Sequence, residues 1–302
     1  MIMMNNRKAF TIVELLIVVT IIALLLGILL PSIAMVRTKA KETAQKAQFA
    51  TIDMALEAFK QDYGDYPPSN LTWTASPSSQ YCGAQKLSEA LLGLDLMGFN
   101  PNSNWQALDG AYDSTTANLQ ARKGPYLELA KTSVFNLGKL FNNTASLASD
   151  TNVLCDIFKV RKTIDNDSTG KPLTAGAPIL YYRANTSSKI FDPNITVLNT
   201  SYRIYDYTDN NPLIQLGKLT ANGGSGLMHP LGYSVGSDNP VFYNDRFKDN
   251  ALLTGYGGTG TGYGIRNPKI TQNVWPYRPD SYILISAGPD GYYGTADDIH
   301  NY

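Results

Sequence analysis

The 302 residues carry 25 Lys and Arg against 25 Asp and Glu, a net charge of zero. With only 17% charged residues and no long run of one sign, the chain lacks the basic stripe of a nucleic-acid binder. The length allows about two domains, and the 19 tyrosines, with Gly, Asn, Thr and Ser crowded into the second half, suit short strands and polar loops better than a helical bundle.

The first element is apolar. After a short leader with Arg7 and Lys8, the run Leu15–Leu30 is broken only by Thr20 and Gly27. From Ala9 to Val36 the mostly apolar stretch covers 28 residues, more than the roughly 20 needed to cross a bilayer. The basic leader is expected to stay cytoplasmic, which exports everything after the span. A secretory signal would place small residues after the apolar run, and Pro31, Ser32 and Ala34 mimic such a site. One residue fits neither a plain anchor nor a signal: Glu14, four residues after Phe10 and on the same helix face. A carboxylate inside lipid costs roughly 2.5–3.5 kcal/mol.

The helical pattern continues past the span. Phe49, Ile52, Leu56, Phe59 and Tyr63 follow spacings of 3, 4, 3 and 4, an apolar stripe expected to pack on the chain's own sheet. Pro31 removes one backbone hydrogen bond and is expected to bend the helix without ending it. Gly64 and Pro67-Pro68 are the predicted stop. A continuous helix from Phe10 to Tyr63 would measure about 80 Å.

Beyond it, Gln85–Gly98 reads as a short helix, and 124–141 is ambiguous between helix and strand. Pro178–Ala184, Ser201–Thr208, Asn239–Asn244 and Ser281–Ala287 read as strands, paired antiparallel because no regular alternation with helices appears. The glycine-rich stretch 255–264 lacks the Lys-Ser/Thr of a phosphate loop and reads as a surface loop. The expected fold class is α+β: a long N-terminal helix, half transmembrane and half packed on an antiparallel sheet, with an enlarged loop-rich head. Cys82 and Cys155, both after the span, allow a single disulfide in an oxidising compartment; the alternative is two buried thiols.

The chain closes on "SAGPDGYYGTADDIHNY". Asp290, Asp297 and Asp298 lie within nine residues among Gly288, Gly291 and Gly294. Carboxylates and carbonyls in a tight loop are donors suited to calcium, although the spacing is not that of an EF-hand. A solvated acidic turn is the other reading. His300 beside these carboxylates is the nearest approach to a catalytic group, and little else is arranged around it, so no enzyme is expected.

Two stretches resemble one family. "KAFTIVELLIVVTIIALLLGILLP" is similar to the cleavage and methylation motif of type IV pilins and type II secretion pseudopilins. The resemblance implies cleavage by a prepilin peptidase between Ala9 and Phe10, N-methylation of Phe10, and Glu14 as the motif carboxylate. Ala9 stands where the family usually has glycine. Pro31 falls where many pilins carry a helix-bending proline. The resemblance divides the chain into a leader (1–9), a transmembrane and assembly helix (10–36), an amphipathic extension (37–63) and a periplasmic head (64–302). The C-terminus, 286–302, resembles the calcium loop of major pseudopilins, which implies calcium at Asp290, Asp297 and Asp298 with carbonyls near Ser286. The implied partners are other pilin-like subunits, copies of this chain included, and an inner-membrane assembly platform, with no nucleic acid. The implied function is a structural subunit of a type II secretion pseudopilus or a type IV pilus-like filament. Tip pseudopilins of similar length usually lack the glutamate, so Glu14 implies a shaft-capable subunit. The alternative is a membrane-anchored periplasmic module, with a pilin-type N-terminus, that binds sugar or a surface partner.

Overall fold

The computed structural model describes residues 11–73, 79–107, 109–141, 144, 146–159, 161–166, 170, 172–188, 204–219, 267, 269–270, 275–291, 293 and 297–302. The candidate strand 239–244 and the glycine-rich stretch 255–264 lie outside them. The chain divides into two units, Met1–Thr43 and Ala44–Tyr302.

The long helix is present as α1, Ile12–Tyr63, 52 residues. It continues through Pro31. Thr20 and Ser32 return their hydroxyl protons to the carbonyls of Leu16 (2.7 Å) and Ile28 (3.0 Å), so neither polar group needs a partner outside the helix. In the first unit the large apolar side chains face outward, from Ile12 (83% exposed) to Val36 (67%).

In the second unit α1 changes character. Phe49, Ile52, Leu56 and Phe59 are buried, and Tyr63 is half-buried. The predicted stripe is thus one wall of a core. Gln45 and Gln48 flank it: Gln45 Oε1 accepts the Ile157 N–H (3.1 Å), and Gln48 Nε2 donates to the Cys155 carbonyl (3.0 Å). The helix stops where expected. Gly64 sits at φ 85° and its N–H still reaches the Lys60 carbonyl at 2.7 Å, a left-handed exit that a Cβ would strain.

The head is built of small antiparallel sheets. In chain order come β1 (Thr72–Trp73), β2 (Gln80–Tyr81), α2 (Gly83–Leu92), α3 (Thr116–Ala121), β3 (Val134–Asn136), α4 (Leu137–Leu140) and β4 (Asn152–Leu154). They are followed by β5 (Arg161–Asn166), β6 (Pro172–Ala175), β7 (Leu180–Arg183), α5 (Asn211–Leu219), β8 (Tyr282–Ser286) and β9 (Ile299–His300). β1–β2, β3–β4 and β5–β6 are two-stranded; β7–β8–β9 is the central sheet. Its register sets Tyr181 opposite Leu284 and Ser286 opposite Ile299. Alternation sends Tyr181, Tyr282 and Leu284 into the core walled by α1, and Leu180, Tyr182, Ile283 and Ile285 into a second core with Leu137, Val153, Leu213 and Ile214. Both faces are covered, which explains the unbroken apolar reading of these strands.

Several sequence expectations need correction. The helix predicted over Gln85–Gly98 ends at Leu92, because Gly93 turns left-handed at φ 86°. Over 124–141 the chain takes one 3₁₀ turn, β3 and then α4. Ser201–Thr208 is not a strand where it is described: residues 204–205 form a bend and Tyr207–Asn210 a 3₁₀ turn. The Asp206 carboxylate accepts the Thr208 N–H at 2.9 Å, a local bond that competes with strand pairing. Cys82 and Cys155 do not form the expected disulfide; each is a fully buried thiol in one core cluster. Cys82 caps α2, and the Cys155 N–H donates to the Ser133 carbonyl at 2.7 Å. Burial pushes the Cys82 thiol up to about 11, far from thiolate formation.

The polar face of α2 brings the largest surprise. Gln85, Lys86, Ser88 and Glu89 are all buried. Glu89 accepts hydrogen bonds from Tyr81 (2.7 Å), Tyr112 (3.1 Å) and Ser103. Gln85 Nε2 donates to the Ala148 carbonyl (3.1 Å) and to Thr151, and Lys86 Nζ to the Asn70 carbonyl at 2.6 Å. Desolvation raises Glu89 to about 7 and Asp209 to about 8, and lowers Lys86 to about 8. Both carboxyl groups are more basic in the folded state than in the unfolded one. Their contribution to stability is therefore full below about pH 4 and is lost as pH rises through 7 to 8. Lys86 acts oppositely and only above about pH 8. Glu89 alone is expected to cost the head about 2 kcal/mol between pH 5 and 7, and Asp209 a further loss of similar order. Thermal melts of the wild type and Glu89→Gln across that range check this: the variant's profile should be flatter, and parallel profiles would remove Glu89 as the cause.

Candidate assembly segment and C-terminal loop

The helix start holds a reciprocal cap. Thr11 donates both its N–H (2.9 Å) and its hydroxyl proton (2.8 Å) to Glu14 Oε2, and the Glu14 N–H returns to Thr11 Oγ1 at 3.2 Å. Thr-x-x-Glu before an apolar run is a capping box. Its signal stands in the sequence at Thr11-Ile12-Val13-Glu14, so Glu14 is a cap as well as a charge. The cap satisfies orphan N–H groups at the end of a helix whose first turns are exposed and apolar. The carboxylate itself stays exposed on a surface of Ile, Leu and Val side chains. Ala9 and Phe10, the expected cleavage pair, lie outside the described residues.

At the other end, the C-terminal segment is tied down by a residue the sequence did not single out. Asp53, on the second-unit part of α1, accepts the Tyr282 hydroxyl at 2.7 Å and Asn301 Nδ2 at 3.0 Å, with Arg278 at 3.4 Å. Asn301 Oδ1 in turn accepts the Leu284 N–H at 3.0 Å. The chain end is thereby held between α1 and β8. Hydrogen bonding to Asp53, after burial, drives the Tyr282 phenol strongly upward, so it remains a donor.

Between β8 and β9 runs the acidic loop. Asp297 Oδ2 accepts the Asp290 N–H at 3.0 Å, which closes the loop on itself. Gly288 sits at φ 68°, and a Cβ there would lie 2.2 Å from the Asp297 carbonyl oxygen, so the close approach requires glycine. Ser286 Oγ accepts the Gly288 N–H (3.2 Å) and donates to the buried Asp156 carboxylate (3.0 Å). Tyr293 donates to the Pro178 carbonyl. Two of the three predicted ligands, Asp290 and Asp297, are thus adjacent, while Asp298 leads into β9. Among the described residues no group of three or more His, Cys, Asp or Glu side chains gathers as a metal site. His300 ends β9 with its ring 4.9 Å from that of Tyr302.

The description "prokaryotic N-terminal methylation motif" matches residues 4–30, a stretch that includes the capping box and most of the exposed apolar turns. That motif is the hallmark of type IV pilins and pseudopilins, so the chain carries the N-terminus of a type IV pilin-like precursor. Processing by prepilin peptidase and filament assembly follow from the motif in general terms. α1 is long and apolar enough to cross a membrane, compatible with inner-membrane anchoring. No curated protein and no solved structure matches this chain.

Proposed function

We propose that this chain is a structural subunit of a type II secretion pseudopilus or type IV pilus-like filament and catalyses no reaction. Its leader would stay cytoplasmic and its head enter the periplasm before extraction into the filament. The observation that carries the reading is the methylation motif at 4–30 on a helix whose apolar side chains are exposed from Ile12 to Val36. Such a surface needs lipid or sister helices around it. Mass spectrometry of the chain produced with an active prepilin peptidase is expected to find a mature N-terminus at methylated Phe10. With the peptidase inactivated, the unprocessed form should accumulate in the inner membrane; normal release of that form would overturn the proposal.

The acidic loop is the second part of the proposal. The closure of the Asp290 backbone on Asp297 supports calcium there; the carboxylates of Asp290, Asp297 and Asp298, which do not gather without it, would be drawn together by the ion. The ion would offset repulsion among them and cross-link the loop ends. Melting of the full chain in detergent micelles is expected at higher temperature with calcium than with a chelator. An Asp297→Asn variant should lose that difference. Identical melting in calcium and chelator would remove calcium from the proposal.

A further inference from the structure

Lys86 on α2 is buried, and its Nζ reaches back 16 residues to Asn70 at the exit from α1. It lies 2.6 Å from the Asn70 carbonyl oxygen and 3.3 Å from Asn70 Oδ1. The bond to the backbone carbonyl holds the nitrogen beside the side-chain amide. The Asn70 Cγ atom is about 1.2 Å from Oδ1 and therefore within about 4.5 Å of Nζ. Asn70 is exposed, so rotation of its side chain can bring Cγ to the roughly 3–3.5 Å of a reacting pair.

Whether an amine attacks an amide depends on two protonation states. The amine has to be neutral, and burial lowers Lys86 to about 8, which leaves about a tenth of it as free amine at pH 7. An acid has to carry the proton, and burial raises Asp209 to about 8, which keeps it protonated at the same pH. Of the charges acting on Lys86, that of Asp209 is the largest, ahead of Glu89. Asp209 is held by the hydroxyl of Ser69, the residue next to Asn70. Ser69, Asn70 and Asp209 together line a groove of about 550 Å³ that neither the methylation motif nor the acidic loop uses.

We infer that Lys86 and Asn70 form an intramolecular amide cross-link. The neutral Nζ attacks Cγ; the Nζ–Cγ bond forms and the Cγ–Nδ2 bond breaks. Asp209 gives its proton to the departing Nδ2 and takes one from Nζ, so it ends as it began and one ammonia leaves. The balance needs no further reactant, and the groove gives the ammonia a path to solvent. A neutral amide replaces a buried ammonium, which relieves the cost of its desolvation. Once the bond is closed, Lys86 no longer titrates. The cross-link ties the exit of α1 to α2, which suits a subunit that is pulled on through its helix. That benefit rests on the filament reading; the bond itself does not.

Intact-protein mass spectrometry of the full chain, purified in detergent micelles, is expected to show a species one ammonia lighter than its sequence. An asparagine that cyclises on its own backbone also loses ammonia, so tandem spectra of a protease digest should show the branched peptide that joins residues 70 and 86. Asn70→Ala, at an exposed position, should fold and lack that peptide, and Lys86→Arg should lack it too. After refolding into micelles, Asp209→Asn should form the bond at least about tenfold more slowly than the wild type. A wild-type chain that stays at full mass after long incubation at pH 8, or one that loses ammonia without yielding the branched peptide, would overturn the inference. A wild-type rate in Asp209→Asn would remove Asp209 as the proton carrier. Neither cleavage before Phe10 nor filament formation enters these measurements, so failure of the filament reading would leave them intact.

Discussion

Glu14→Ala is expected to reduce filament assembly to background while leaving membrane insertion intact. Two roles converge on this carboxylate, and a second variant separates them. In the structure Glu14 closes the capping box with Thr11. In the proposed filament, cleavage before Phe10 creates a positive amine one helical turn away, and the amine of one subunit can meet Glu14 of its neighbour among apolar side chains. Either charge buried alone is costly, and pairing offsets that cost only when the helices are in register. Glutamine also serves at the third position of a capping box but carries no charge. Glu14→Gln should therefore keep the helix start and still fail to assemble. Electron microscopy of sheared filaments, with immunoblotting of the membrane fraction, reads both outcomes. Wild-type assembly by Glu14→Gln would reduce Glu14 to a helix cap and remove its register-setting role.

Phe59→Ala is expected to destabilise the head by about 3–5 kcal/mol. The Phe59 ring is 2% exposed and lies between Tyr63 at 4.7 Å, Phe99 at 5.2 Å, Tyr126 at 5.9 Å and Trp105 at 6.3 Å. Its removal leaves a cavity where residues 99–126 dock on the second-unit part of α1, and T-shaped ring contacts are lost with it. Trp105, stacked on Phe99 at 4.8 Å, makes its own fluorescence the natural readout of denaturant unfolding. Met54→Ala, on the same helix but 65% exposed, should melt like the wild type. A Phe59→Ala midpoint as high as that of Met54→Ala would mean this cluster does not hold the loop region to the helix.

How much of this was legible beforehand divides along the range of the interactions involved. The stripe Phe49 to Tyr63 and the stop at Gly64 follow from a 3.6-residue period and from one residue's backbone freedom, both written locally. The strands β7 and β8 were legible as apolar runs between turn residues. The capping box is also local, at Thr11 and Glu14, but its signal lies in hydrogen bonding rather than in charge. The Ser201–Thr208 stretch misled because its alternating aromatic residues suggest a strand, while Asp206 offers the backbone a shorter-range partner.

The remainder has no local signature. Glu89 and Lys86 on an amphipathic helix read as a solvent face; only Tyr81, Ser103, Tyr112 and Asn70, brought in from other segments, make their burial tolerable. Asp53 became the anchor of the C-terminus through partners more than two hundred residues away in the chain. Cys82 and Cys155 count as a pair by number and compartment, but the core holds them as two buried thiols. By itself the sequence determined the pilin-type N-terminus, the membrane-length helix and its exit, because covalent motif and periodicity are properties of neighbouring residues. Only the tertiary structure decided which polar groups are buried, where the groove lies and how the acidic loop closes. Each of those depends on desolvation and on donors supplied from distant segments, which no local pattern encodes.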